Sequence, residues 1–370
     1  MTVVSVKEKL NAFHIALLIF MIEIDITIFD LPRIVAENLG TNGWVGLLVL
    51  SCAATFNIFL YWIVYKSGNG RSAFQILESS LPKILLYPFY VLIALVWIGL
   101  ASFIGKNFIF IFQLLYFQSM NPMIIFFVFC IMVYFLLSKN LYNISKANTL
   151  FFFLTIWIVG LIFFYFDDWK MIRFTNSFFQ GTTKPPSFHN WVEVYKVFVG
   201  YELCLFFIPF TNKESKLFKG VFAGHWLATF IQLIIIWISS GFYSFEQLQA
   251  LLYPLMNMFS YIELPFINRI ESVIFPFFLY VNLISTVMFC IAALMTVKQL
   301  FPHARPKSIE MVISIIVFLT GFIPQILRKS QELLSLAFHI EIGIAFSMPV
   351  LLILVLKFQK WKGRNAKNEI

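Results

Sequence analysis

Four carboxylates stand where a bilayer would place hydrocarbon. Glu23, Asp25 and Asp30 lie inside an apolar run from Phe13 to about Val35, and Glu202 lies inside a second run, 191–210. A charged carboxylate at the centre of a membrane helix costs roughly 2.5–3.5 kcal/mol on insertion scales. Acids so placed bind ions or polar ligands, carry protons, or pair with other buried groups. Other chemistries find no support. The five histidines, at 14, 189, 225, 303 and 339, are scattered, with no HExxH and no pair at helical spacing. Cys52, Cys130, Cys204 and Cys290 are far apart and read as small buried hydrophobes. No GxxxxGK[ST] phosphate loop occurs, and "DDW" at 167–169 reads as a solvated turn. No catalytic residue, metal site or cofactor is therefore expected, and the chain is not expected to be an enzyme.

The elements that hold these acids must be unusual. At about 100° per residue, Glu23, Thr27 and Asp30 share one stripe of a helix, while Asp25 falls on nearly the opposite side. Either this helix is enclosed by others or it is interrupted near Asp25–Asp30, and Pro32 favours local distortion. Glu23 and Asp30 can equally pair with Arg33 or with other helices. The second run repeats the pattern: Gly200, Tyr201 and Glu202 sit near its middle, with Pro209 beyond. Paired interruptions in corresponding spans are the sequence mark of a transporter-type site. Asn282, Ser285 and Thr286 can add to such a site or hydrogen-bond between helices. His225, His339 and Glu341 are weaker candidates. The candidate ligand-binding residues are Asp25, Ile26, Thr27, Gly200, Tyr201, Glu202 and Ser285.

Composition supplies the scaffold. Of 370 residues, 60% are hydrophobic and 12% charged, about half the charged share usual in soluble domains. Mean hydropathy is +0.86. The chain reads as an all-α polytopic membrane protein. Ten candidate spans are 13–36, 44–65, 84–112, 122–138, 148–166, 191–210, 219–241, 271–297, 308–327 and 333–357, each near the ~20 apolar residues a span needs. The stretch 242–268, with Pro254 and Pro265, reads as one or two short helices outside the membrane core, on the outer face. With the N-terminus inside, 18 of the 27 basic residues fall in inner segments, including the tail "KFQKWKGRNAK", which suits anionic headgroups. The net charge of +9 is thus orientation within a membrane, not a nucleic-acid surface. The chain divides into a single membrane domain of two five-helix repeats, about 13–166 and 191–357. An outer loop, 167–190, joins them, and a basic cytoplasmic tail, 358–370, follows.

Three stretches then carry a resemblance over essentially the whole chain. "ITIFDLPRIVAENLGTNGW" (26–44), "GYELCLFFIP" (200–209) and above all "LYPLMNMFSYIELPFINRIESVIF" (252–275) resemble the spore germination permeases, the B subunits of endospore nutrient-germinant receptors. That family belongs to the amino acid–polyamine–organocation transporter superfamily. The resemblance implies a ten-helix inverted repeat like the leucine transporter core, with a small germinant, an amino acid or sugar, bound between spans one, three, six and eight. It also implies a receptor A-type membrane subunit and a C-type lipoprotein as partners, and the spore inner membrane as location. Two departures stand out. Asp25 and Thr27 replace the glycines usual in the first break, which points to cationic or hydroxylated ligands, and Asn268 stands where an acid is usual.

Two functions compete. In a receptor subunit, ligand binding at mid-depth favours one state of the bundle and partners read the change. In a proton- or cation-coupled amino-acid transporter, Glu202 or Asp25 carries the coupling proton. A lipid-modifying membrane enzyme is disfavoured by the scattered histidines.

Overall fold

The computed structural model describes residues 9–262 and 270–368, all helix, turn and loop. Helix α1 (Ala12–Glu23) begins at Asn11, whose side chain accepts from His14 N at 3.0 Å. It stops after Glu23. Asp25 then turns extended and accepts both the Thr27 N–H (2.9 Å) and the Thr27 hydroxyl (2.7 Å) on Oδ1, starting a short 3-10 turn, Ile26–Phe29. Helix α2 (Leu31–Leu39) restarts the path. Pro32 lies in its first turn, where a missing N–H removes no helical bond, so this proline restarts a helix rather than bending one.

Next come α3 (Gly43–Ser67), α4 (Ala73–Glu78), α5 (Lys83–Tyr116), α6 (Pro122–Leu137) and α7 (Leu141–Thr155), the last continuing as 3-10 helix to Tyr165. Helix α8 (Phe188–Tyr195) runs on to Phe198 and meets the second interruption. Val199 is extended and Gly200 has φ +128°, a conformation open to glycine and strained for any L residue. A short segment, Tyr201–Phe210, follows, with α9 (Cys204–Phe207) at its centre. The chain continues with α10 (Leu217–Phe242), α11 (Phe245–Ala250), α12 (Pro254–Phe259), α13 (Glu271–Leu300), α14 (Pro306–Thr320) and α15 (Leu327–Asn368).

Both interruptions fall where the buried acids suggested. Six stretches among the described residues are long and apolar enough to cross a membrane: α3, α5, α7 with its continuation, α10, α13 and α15. The other four expected runs are shorter. Two are the broken ones, and α6 and α14 have 16 and 15 residues. The stretch after residue 242 holds two short helices, α11 and α12, as expected. Asn268, and Arg269 at the start of the expected eighth run, lie outside the described residues.

Helix α5 packs along α13 through the middle of the bundle, and α1 packs along α10. The second contact is close because Gly220 and Gly224 face α1. A Cβ at either would sit 2.6 and 2.4 Å from the carbonyl oxygens of Ala12 and Ala16. Helix α15 carries Pro349, which cannot donate to the carbonyl of Ala345 four residues back. Asn57 Nδ2 (2.9 Å) and the Tyr61 hydroxyl (2.8 Å), both from α3, donate to that carbonyl instead. Pro276 in α13 likewise frees the Ser272 carbonyl, which accepts from Tyr116 OH at 3.0 Å.

Candidate ligand-binding site

The two interruptions touch. A Cβ on Gly200 would lie 2.2 Å from Ile22 Cγ2, so the second break rests directly on the last turn of α1. Gln232 of α10 bridges them: its Nε2 donates to Glu23 O (3.1 Å) and to Val197 O (3.3 Å), two carbonyls that lost helical partners when their helices ended. Glu23 itself pairs with His225 of α10, Nδ1 to Oε2 at 3.0 Å, both side chains fully buried. His225 Nε2 stands 3.1 Å from both the Ser51 carbonyl and the Ser51 hydroxyl. Glu23 is thus a strut joining α1, α3 and α10.

A polar cavity of about 30 Å³ opens beside the first break, toward the α12 end of the bundle. Ile26, Thr27 and Asp30 line it from the break, Asn107 from α5, Lys196 from the helix leading to the second break, and Ser335 from α15. Asp30 Oδ2 is held by Arg33 at 3.2 Å, and Arg33 also binds Glu37. Among the described residues, the other oxygen, Asp30 Oδ1, is buried without a hydrogen-bond partner, and so is Asn107 Oδ1. Two unpaired acceptors in one cavity suit a donor such as an ammonium group. Lys196 lies within electrostatic reach of Asp25 and Asp30 and uses one of its three N–H bonds on Glu193 Oε2 at 2.9 Å. The remaining two suit a carboxylate. The Gln331–Tyr253 hydrogen bond (2.9 Å) lies at the same cavity, and the volume holds water rather than a larger solute.

Glu202 is elsewhere. It lines a small, nearly apolar cavity on the other side of the breaks, toward α4, with Tyr61, Trp97, Phe206 and Met348. Its Oε2 accepts from Gly200 N at 2.9 Å, which holds the break in shape. Its partner is Glu341 of α15, whose Oε1 accepts from Trp97 Nε1 at 2.9 Å. The two carboxyls lie within electrostatic reach of each other. Neither Glu202 Oε1 nor Glu341 Oε2 has a hydrogen-bond partner among the described residues. Two carboxylates this close in an apolar cavity repel each other, and a proton shared between them removes the repulsion.

The remaining candidates serve the breaks. Asp25 closes its own turn through Thr27. Tyr201 OH accepts from Asn57 Nδ2 and shares a hydrogen bond with Tyr195 OH, each at 2.7 Å. Ser285 Oγ donates to Met21 O in the last turn of α1, at 3.3 Å. The fold therefore brings Ile26 and Thr27 to one cavity and Glu202 to another, with Asp25, Gly200, Tyr201 and Ser285 between. Sequence reading missed Lys196, Asn107 and the pairing of Glu202 with Glu341. It also did not expect His189, Glu193 and His339 to meet, with Glu193 bonded to Lys196 and Ser335 of the polar cavity.

Comparison with known proteins follows from this arrangement. Residues 9–331 match the profile of a family described as spore germination protein. The chain is similar to spore germination protein GerLB of Bacillus cereus, 21% identical over 376 residues covering 97% of each. It is similar to GerQB of Bacillus cereus, 23% identical over 295 residues, 76% of this chain and 79% of that protein. Spore germination protein B2 of Bacillus subtilis (strain 168) is 20% identical over 267 residues, 72% of each.

Proposed function

Because the chain belongs to the spore germination protein family, we propose that it is the permease-like membrane subunit of a nutrient-germinant receptor, binding a small zwitterion such as an amino acid. The carrying observation is the polar cavity, with unpaired Asp30 Oδ1 and Asn107 Oδ1 on one side and Lys196 on another. An α-ammonium bonds the first two and an α-carboxylate bonds Lys196. Because the cavity is smaller than an amino acid, binding requires α12 or α15 to move outward. Ligand then stabilises a wider state by its differential affinity for it. Asp25 and Thr27 hold the break that presents Ile26 to the ligand.

The ten-span inverted repeat is part of the same reading, and the helix packing supports it. Let each helix of the first half exchange with its counterpart in the second: α1 with α8–α9, α3 with α10, α5 with α13, α6 with α14, α7 with α15. The contact of α5 with α13 maps onto itself, as does that of α6 with α14. The contact of α1 with α10 maps onto α8 with α3, and α15 with α5 onto α7 with α13; all of these pairs pack. The bias of basic residues in the loops supports an orientation with the α12 end outside and the α4 end and tail inside. An A-type membrane subunit and a C-type lipoprotein in the spore inner membrane would read the movement.

The test is a germinant dose response in spores carrying Asp30→Asn or Lys196→Gln, with membrane abundance measured beside it. Normal abundance with a midpoint raised at least roughly tenfold is expected, which is about 1.4 kcal/mol. An unchanged midpoint in both variants overturns the cavity as the ligand site. One observation favours a second reading, a proton-coupled amino-acid transporter: Glu202 and Glu341 are buried near each other on the α4 side of the breaks, with Glu202 Oε1 and Glu341 Oε2 unpartnered among the described residues. Labelled amino acid accumulating in proteoliposomes under a proton gradient, and abolished by Glu202→Gln, would establish it.

A further inference from the structure

We propose that His189, Glu193 and His339 form a binding site for a divalent transition-metal ion of the zinc class, which clamps α8 to α15 over the polar cavity. The clamping role rests on the germinant reading of that cavity; the metal site does not.

The three side chains converge from two helices. His189 and Glu193 are one turn apart on α8, and His339 comes from α15. One ligand atom from each lies within 4.8 Å of the others. His339 Nε2 is 3.4 Å and His189 Nε2 3.8 Å from Glu193 Oε1. Four-coordinate zinc with bonds of 2.0–2.2 Å needs ligand separations of about 3.3–3.6 Å. One edge already fits, and the exposed His189 ring can turn to shorten the others. Two imidazoles and a carboxylate with an open fourth position are a familiar zinc donor set.

The hydrogen bonds around the cluster point the same way. His339 Nδ1 donates to Ser335 O at 2.7 Å, so the neutral ring presents its Nε2 lone pair to the cluster. That Nε2 is buried and has no hydrogen-bond partner among the described residues, although Glu193 Oε1 is 3.4 Å away. A proton on Nε2 or a metal ion between Nε2 and Glu193 Oε1 would complete this contact. Glu193 is oriented by two further donors, Lys196 Nζ to Oε2 (2.9 Å) and Ser335 Oγ to Oε1 (3.0 Å). Outer partners of this kind fix metal ligands in place. The stacking of His189 on His339, with ring centres 5.1 Å apart, keeps both edges toward the carboxylate.

Consequence for the cavity follows from shared residues. Lys196 and Ser335 both line the cavity and both hold Glu193. An ion joining α8 to α15 would therefore resist the outward movement of α15 that a larger ligand requires. By linkage, a germinant that opens the cavity weakens the metal, and the metal weakens the germinant by the same factor.

The experiment titrates cobalt(II) into the full-length protein in nanodiscs and follows the visible bands of four-coordinate cobalt, with zinc as competitor. One ion per chain is expected, weakened at least roughly 100-fold in His189→Ala and in His339→Gln, more than loss of an outer partner gives. His189 is largely exposed, so its variant should fold even if the other does not. No cobalt spectrum, or binding unchanged in both variants, overturns the site. The germinant dose response is then compared with zinc and with chelator. A midpoint raised at least threefold by zinc in the unaltered protein, but not in His189→Ala, supports the clamp. Histidine-dependent binding with no such shift overturns the clamp and keeps the site. Cobalt binding intact in an Asp30→Asn protein that ignores germinant would keep the two readings apart.

Discussion

Replacing Gly200 by alanine tests the contact on which the paired breaks depend. The added Cβ would lie 2.2 Å from Ile22 Cγ2 and 3.2 Å from Ile22 Cβ. Carbon atoms rest about 3.5–4.0 Å apart, so one break must retreat from the other by more than about 1 Å. Overpacking of this kind costs about 1–3 kcal/mol. Holding alanine at φ +128° costs about 1–3 kcal/mol more. The sum, about 2–6 kcal/mol, is a large share of a typical stability of about 5–15 kcal/mol. Ile22→Ala removes Cγ2 and separates the two terms. In the double variant most of the steric term disappears, since only the 3.2 Å approach to the Cβ at position 22 is left, and the backbone term stays. The double should therefore be more stable than the sum of the singles by about 1–3 kcal/mol. Membrane abundance and thermal unfolding of the purified protein read this out. Additivity within about 0.5 kcal/mol, or a Gly200→Ala protein as stable as the unaltered one, would refute the reasoning.

Breaking the buried Glu23–His225 pair from one side, with His225→Leu or Glu23→Met, should lower stability by about 3–5 kcal/mol, because it strands a buried polar group. The double variant should recover most of that in thermal unfolding; a double as unstable as the worse single would show that the network, not the pair, is at stake. Gln232→Leu should cost about 1–3 kcal/mol by leaving the Glu23 and Val197 carbonyls without a donor, and faster amide hydrogen exchange at residues 24–28 and 198–202 should locate the effect at the breaks.

Much of the scaffold was readable because its physics is local. An acid in an apolar run, a glycine followed by Tyr201 and Glu202, and a proline after Asp30 each oppose a continuous helix, and both breaks lie there. Pro32 was readable only in part: it marked the place but not its use as the opening of α2. The pairings were illegible for a different reason. Glu23 meets His225 across 202 positions of sequence, and Asn57 meets Ala345 across 288. Helical periodicity says which face a residue occupies and nothing about which distant face it meets. A usable signal did exist. Mid-span ionisable groups need partners, so His225, Glu341, Glu23 and Glu202 could have been matched as two pairs, though not which with which. His189 and Glu193 were one turn apart in plain view, but the cluster needs a third ligand from α15.

Pro349 has a mechanical meaning. Helix α15 touches the polar cavity near Ser335, the carboxyl pair at Glu341, and α4 through Gln359, which donates to Ile76 O, Ser79 and Ser80 at 2.7–3.1 Å. At 1.5 Å per residue these stations are strung along about 36 Å of one rod. The proline makes the rod a lever with its pivot between the cavity and α4, since the Ala345 carbonyl is tied to α3 rather than to the next turn. Gln359 lies about 15 Å beyond that pivot. A change of about 10° there would carry it about 2.6 Å, farther than its hydrogen bonds to α4 can stretch. A tilt at one surface of the bundle would thus arrive at the other as a detached latch, with no solute having crossed.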